Sequence, residues 1–180
     1  MFDVSDTAYD NFMGRYSVRL GPVFADFAEV HEGQEVLDVG AGTGALTAEL
    51  GRRGAKAAAA DPSPPFVAAL ERRLPDVDVR AAAAEELPWP DESFDAALAQ
   101  LVLTFMNDAP RGVAEMRRVV RPGGVVAACM WDRHGMDMLA AVHRTQRVVA
   151  DSGTTEARTV YRSREEIEGQ IGRASCRERV

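Results

Sequence analysis

Hydrophobic positions along the chain fall in short runs separated by stretches with helical spacing, the pattern of a sheet whose strands alternate with helices. Asp6 to Val30 has helical spacing, interrupted at Gly21-Pro22. Glu35 to Val39 (EVLDV) is a compact apolar run that ends in Gly40-Ala-Gly-Thr-Gly44, and a helix is expected from Ala45 to about Arg53. Lys56 to Ala60 is alanine-rich, and propensity alone favours a helix there. Its place before Asp61-Pro62 makes it the second strand instead. Pro65 to Arg73 follows as a helix with proline near its first turn. Val77 to Arg80 and Phe94 to Gln100 read as strands three and four, joined through the two-proline stretch Leu87-Pro-Trp-Pro-Asp-Glu-Ser93. Ala109 to Val120 is a helix stopped by Arg121-Pro-Gly-Gly124. Val125 to Trp131 is a fifth strand and Met136 to about Asp151 a further helix, and Ser163-Arg-Glu-Glu166 has the pattern of another helix start. The fold class is α/β, a parallel sheet with helices on both faces.

Composition narrows the function more than the fold. The 180 residues fit one domain, 46% hydrophobic and 27% charged, the balance of a globular chain. A net charge of −7 argues against a partner held by its phosphate backbone, which requires clustered Lys and Arg, so nucleic acid is not expected. The acidic opening MFDVSDTAYDN has no apolar stretch, and no run of about 18 apolar residues exists, so neither a signal peptide nor a membrane span is expected. Cys129 and Cys176 make no disulfide framework, and the cytoplasm is the expected compartment. His31, His134 and His143 are scattered without metal-ligand spacing, so no metal is expected.

The glycine stretch carries the chemistry. A strand, then glycines, then a helix forms a dinucleotide-type cradle, because glycine lets the backbone approach a ligand and the helix start offers N–H groups. Gly40, Gly42 and Ala45 satisfy G-x-G-x-x-G/A, a weak sign of a nicotinamide cofactor taken alone. Asp38, two residues ahead of the first glycine, points elsewhere. A carboxylate there repels a pyrophosphate, whereas S-adenosylmethionine carries an ammonium and a sulfonium that it attracts. The plainer alternative is that Asp38 only hydrogen-bonds the turn. Asp61 lies 21 residues after Gly40, a spacing that suits an acidic residue accepting ribose hydroxyls. It could equally cap the next helix.

These segments together resemble the class I S-adenosylmethionine-dependent methyltransferases, in their type 11, quinone-biosynthesis-like branch. Glu35 to Gly44 resembles that family's first motif, and Asp61 its following acid. Ala84-Glu-Glu-Leu-Pro-Trp-Pro-Asp-Glu-Ser-Phe-Asp95 is similar to the branch's "AE-LPF-D-SFD" segment, and Glu115-Met-Arg-Arg-Val-Val-Arg-Pro-Gly-Gly124 to its helix-to-strand turn. Tyr9-Asp-Asn-Phe-Met-Gly-Arg-Tyr-Ser17 is similar to the cap that many members carry at the N-terminus. The likeness runs from about Tyr9 to Trp131. It implies a Rossmann-like sheet, of which about five strands are present here, in the order 3-2-1-4-5. It implies that the loop Gly40, Ala41, Gly42 and Gly44 holds the methionyl part of S-adenosylmethionine, with Asp38 beside it and Asp61 on the ribose. Ala84 and Glu85 would border the adenine, and Gln100 the seam where the methyl leaves. Ala83 departs from the pattern, since members often have an aspartate there for the adenine amino group. Arg15 and Tyr16 of the cap either pair with the cofactor carboxylate or pack the first helix. Trp131 and Asp132 would face the acceptor or, for Trp131, fill the core; His134 is a possible proton acceptor. Met130, Met136 and Met138 are expected to fill apolar gaps.

Methyl transfer from a sulfonium is an in-line displacement that proximity and alignment can drive, so no catalytic residue is named. No Asn/Asp-Pro-Pro-Tyr/Phe motif follows strand four, where the chain reads Ala99-Gln-Leu-Val-Leu103, and a small-molecule acceptor is expected. The alternatives are a cofactor-binding partner or sensor without transfer activity and, less in keeping with Asp38, an NAD(P)-dependent oxidoreductase. The end of the chain is unusual. Ile171 to Val180 back-translates as ATC GGA AGA GCG TCG TGT AGG GAA AGA GTG, the string of a common short-read sequencing adapter. Residues 1–169 are therefore expected to be an incomplete methyltransferase domain with an N-terminal helical cap, and 170–180 a non-native tail. On that reading strands six and seven are missing and the edge of strand five is bare.

Overall fold

The computed structural model describes residues 10–131 and 177–179. A π-helical turn at Asp10–Gly14 leads directly into α1 (Arg15–Phe27). Then follow β1 (Glu35–Val39), α2 (Ala45–Arg52), β2 (Lys56–Asp61), α3 (Pro64–Arg73), β3 (Asp78–Ala81) and β4 (Phe94–Gln100). A short 3-10 turn at Leu103–Phe105 precedes α4 (Ala109–Val119) and β5 (Val120–Cys129). The strands lie in the order β3-β2-β1-β4-β5, with every neighbouring pair parallel, as the resemblance implied.

Alternation along the strands sends side chains to two separate cores. Val36, Ala96, Leu98, Val125 and Ala127 face Phe24, Ala25, Leu46 and Leu50 of α1 and α2. Leu37, Val39, Ala97, Ala99 and Val126 face Leu87, Trp89, Val113 and Met116 on the other side. The alanine-rich segment is a strand because Ala58, Ala59 and Ala60 are buried in mid-sheet, where backbone pairing on both sides overrides helix propensity.

Three local expectations are corrected. α1 is not interrupted at Gly21-Pro22; the helix runs through it. Contacts with α2 hold it there: Arg53 Nη2 donates to the Pro22 carbonyl at 2.8 Å, and Gly21 lies close against Glu49. The fifth strand begins earlier and ends earlier than Val125 to Trp131. Phe94 pairs with Val120, a bulge absorbs Arg121-Pro-Gly-Gly124, and regular pairing resumes at Ala96 with Val125. Finally, the edge of β5 is not wholly bare. Arg177–Arg179 forms β6, antiparallel to β5, with Val126 opposite Glu178. Edge pairing is made by backbone groups and needs no particular side chains, so an apolar strand edge recruits whatever extended segment reaches it. The helices expected at Met136 to Asp151 and from Ser163 lie outside the described residues, as do Asp132 and His134. No helix among the described residues is long and apolar enough to cross a membrane.

Candidate cofactor site

The sheet reverses its strand order between β1 and β4, and the carboxyl ends of these two strands open a crevice there. β1 delivers Asp38 to this point, and the loop at residues 40–44 turns sharply back into α2. Gly40, Gly42 and Gly44 all have positive φ (73°, 57° and 92°), which favours glycine at each. Gly40 is doubly required, because a Cβ there would lie 2.1 Å from Val102 Cγ2.

The loop is wired to the protein rather than left open. The N–H groups of Gly40 and Ala41 donate to the Ala60 carbonyl, and that of Gly44 to the Ala41 carbonyl. Gly42 N–H donates to Asp61 Oδ2 at 2.8 Å, while Ser63 N–H donates to Asp61 Oδ1 at 2.8 Å. Asp61 thus ties the end of β2 to the glycine loop and also steadies the start of α3. Its burial raises its pKa, an effect those two N–H groups partly offset.

Asp38 is 1% exposed and accepts a 2.7 Å hydrogen bond from Thr47 Oγ1 of α2. Burial pushes its pKa up to about 7, the Thr47 hydroxyl opposing and the nearby Asp61 charge adding to the rise. A small cavity of about 20 Å³ lies beside it, lined by Ser17, Asp38, Gly40, Ala41, Thr43 and Gln100 among others. Gln100 ends β4; its Nε2 donates to the Ser17 carbonyl at 3.2 Å. Its Oε1 is buried with no partner among the described residues. The pocket therefore presents acceptors, the Asp38 carboxyl and the Gln100 oxygen, while N–H groups of the loop are engaged internally. That arrangement suits a ligand bringing a cationic donor and disfavours a pyrophosphate.

The remaining expected residues are placed elsewhere. Arg15 is exposed and stacks on the Tyr16 ring at 4.8 Å, its Nη2 donating to the Tyr16 hydroxyl. Tyr16 in turn meets Trp131 edge-to-face at 5.6 Å. Among the described cap residues, Ser17 lines the pocket. Ala84 is buried in the α4-side core. Glu85 Oε1 accepts from Asn107 N–H at 2.6 Å and Asp108 N–H at 3.0 Å, closing the turn before α4, a task that accounts for this acid without an adenine contact. Thr43 lines the pocket, Thr47 supports it through Asp38, and Asp10 and Arg73 support it through Thr43; all four escaped the sequence reading. Thr47 was legible in principle, as a hydroxyl on the inner face of α2. Asp10 and Arg73 carry no local signal, since 63 positions separate the two ends of their contact.

A glycine loop at the strand-order reversal of a parallel sheet defines a class of nucleotide-cofactor enzymes. Within that class, a model described as methyltransferase domain (type 11) matches residues 37–128, and the chain belongs to that family. An uncharacterised methyltransferase of Mycobacterium bovis is 42% identical over 91 residues, 51% of this chain and 37% of the relative. A demethylmenaquinone methyltransferase of Mycolicibacterium paratuberculosis is 39% identical over 113 residues, 62% of this chain and 48% of the relative. Among solved structures, the [4+2]-cyclase SpnF superposes with a TM-score of 0.57 at 31% identity, covering 62% of this chain and 43% of the cyclase. The chain thus spans less than half the length of these relatives.

Proposed function

We propose that the protein binds S-adenosylmethionine and transfers its methyl group to a small-molecule acceptor in the cytoplasm. The observation that carries this reading is the acceptor-lined pocket, with Asp38 buried beside a glycine loop whose N–H groups are engaged within the protein. The residues present fit the cofactor: Asp38 and Gln100 Oε1 face an ammonium, and the glycine loop lets the methionyl part approach the backbone. The edge where Asp61 ties β2 to the loop would take the ribose, and the backbone at Ala83 and Ala84 would border the adenine. When bound, the cofactor supplies an electrophilic methyl on a sulfonium. The chain's own residues orient it and exclude water. The cap above Gln100, where Tyr16 and Trp131 meet, lies toward the acceptor. No group in the pocket is assigned as a base; an acceptor that must lose a proton brings that requirement with it.

The relatives are named as methyltransferases, one of them for demethylmenaquinone, which supports the reaction class. The similarity to a solved [4+2]-cyclase keeps a second reading in view, in which the site holds a cofactor without transferring its methyl. Incubation with methyl-tritiated S-adenosylmethionine and a panel of small-molecule acceptors separates the two. Label in an acceptor supports transfer; tight cofactor binding with no label in any fraction favours the second.

A further inference from the structure

The buried face of α2 carries Leu46, Thr47, Glu49 and Leu50. Leu46 and Leu50 belong to the hydrophobic cluster on that side of the sheet, and Glu49 is held by Arg52 and Arg53. Thr47 has neither task. It is fully buried, stands outside the lining of the cavity, and reaches it through Asp38. A buried hydroxyl costs stability unless it is hydrogen-bonded, and a β-branched residue slightly weakens a helix. An aliphatic side chain of the same shape would fill this position as well. The hydroxyl is accounted for by its partner, Asp38 Oδ2, at 2.7 Å.

Gly44 starts α2 without a side-chain cap, so N–H groups of the first turn need acceptors outside the helix. The Thr47 N–H acts on the Asp38 carboxylate together with the hydroxyl, and both favour the charged form. The hydroxyl can also accept a proton from a neutral carboxyl, but its bond to a carboxylate is the stronger one. Burial and the charge of Asp61 on β2 oppose them. Asp61 is itself held by the N–H groups of Gly42 and Ser63. Ser17 of α1, Thr43 of the glycine loop and Gln100 of β4, which line the same cavity, are uncharged. Asp38 is thus balanced between two protonation states, with Thr47 on the side of the anion.

We propose that Thr47 is a positioning residue for the cofactor, its hydroxyl holding Asp38 at the cavity as the anion that the cofactor ammonium meets. The inference rests on the cofactor reading above and adds the group that sets the pH at which the site becomes competent to bind. Thr47 touches no ligand; it acts through Asp38.

Calorimetric titration of the full chain with S-adenosylhomocysteine, from about pH 5.5 to 8.5, tests this in the wild type, Thr47→Val, Thr47→Cys and Thr47→Ser. Circular dichroism at each pH establishes that each protein is folded. Thr47→Val keeps the shape and removes the donor, and losing one hydrogen bond to a charged group should move the midpoint of the pH dependence up by about one unit. Affinity should then be about tenfold below the wild type near pH 6 and nearly equal to it near pH 8.5. Thr47→Ser keeps the hydroxyl and should follow the wild-type curve. Thr47→Cys has a weaker donor of similar size and should fall between, so it carries the test where the valine variant does not fold. A loss that is the same at every pH marks a purely structural role and overturns the proposal. Valine and cysteine variants that match the wild type throughout, or a serine variant that follows the valine one, overturn it too and leave the cofactor reading standing. A folded wild type that binds nothing at any pH overturns the cofactor reading and this inference with it.

Discussion

Asp38, which on the proposed reading meets the cofactor's ammonium, also strains the fold that carries it. Its folded pKa, raised by burial from 3.8 to about 7, means that the native state holds a proton there which the unfolded chain gives up. The sign follows from linkage. This residue's contribution to stability is fully present below about pH 4 and is lost as pH rises through about 7. Asp38→Asn keeps an acceptor for Thr47 and avoids the buried charge, so it should stabilise the protein by about 1–3 kcal/mol at pH 8. That gain should vanish near pH 4, as thermal unfolding across this range will read. The same substitution should cost most of the cofactor affinity, because a neutral amide does not answer an ammonium. On the proposed reading, the cofactor's ammonium pairs with the ionised form of Asp38 in the wild type. S-adenosylhomocysteine affinity should therefore rise as pH passes upward through about 7, and Asp38→Asn should flatten that dependence in a fluorescence titration. The place of Asp38 near the strand end and the turn at the glycines were legible in the sequence, because both are fixed within a few residues of one strand end. Glu85 was not. Its partners, Asn107 and Asp108, lie more than twenty positions ahead, and only the fold shows that they use its carboxylate.

At the level of elements, the segment between β3 and β4 shows how a loop with two prolines is held still. Arg118 of α4 donates to the Leu87 and Trp89 carbonyls and to Asp91, and is itself held by Glu115. The Trp89 indole N–H donates to Asp78, and the Arg80 guanidinium stacks on its ring at 4.5 Å. Arg118→Ala removes several bonds from a half-buried position. Discounted for solvent, it should lower stability by about 1–2 kcal/mol in urea unfolding, with little change in cofactor affinity. Strand positions were largely readable, since Glu35–Val39 and Phe94–Gln100 are marked by compact apolar runs between turn residues. The continuity of α1 was not, because Gly21-Pro22 is a break by local rules and a continuous helix only once α2 supports it. The bulge at the start of β5 was hidden for a similar reason. Arg121-Pro-Gly-Gly124 reads as a stop, and its pairing is set by Arg121 reaching Glu35 and Asp95 on neighbouring strands.

For the molecule as a whole, sheet order decides where function can lie. Strand order reverses between β1 and β4, and the pocket, the glycine loop and the cap all meet at that end of the sheet. The resemblance to a known family made this order legible; the hydrophobic pattern gave the strands but not their neighbours. The acceptor is an expectation from the sequence alone, and the side of the site proposed for it, around Tyr16 and Trp131, stands at the last described residues before position 177. On the proposed reading, this end of the sheet takes a cationic cofactor rather than a pyrophosphate. Isothermal titration of the folded chain with S-adenosylhomocysteine and, separately, with NADH tests it most directly. One-to-one binding of S-adenosylhomocysteine, weakened by Asp38→Asn, is expected, with no heat of binding with NADH. Binding of NADH alone, or S-adenosylhomocysteine affinity indifferent to Asp38, would contradict it.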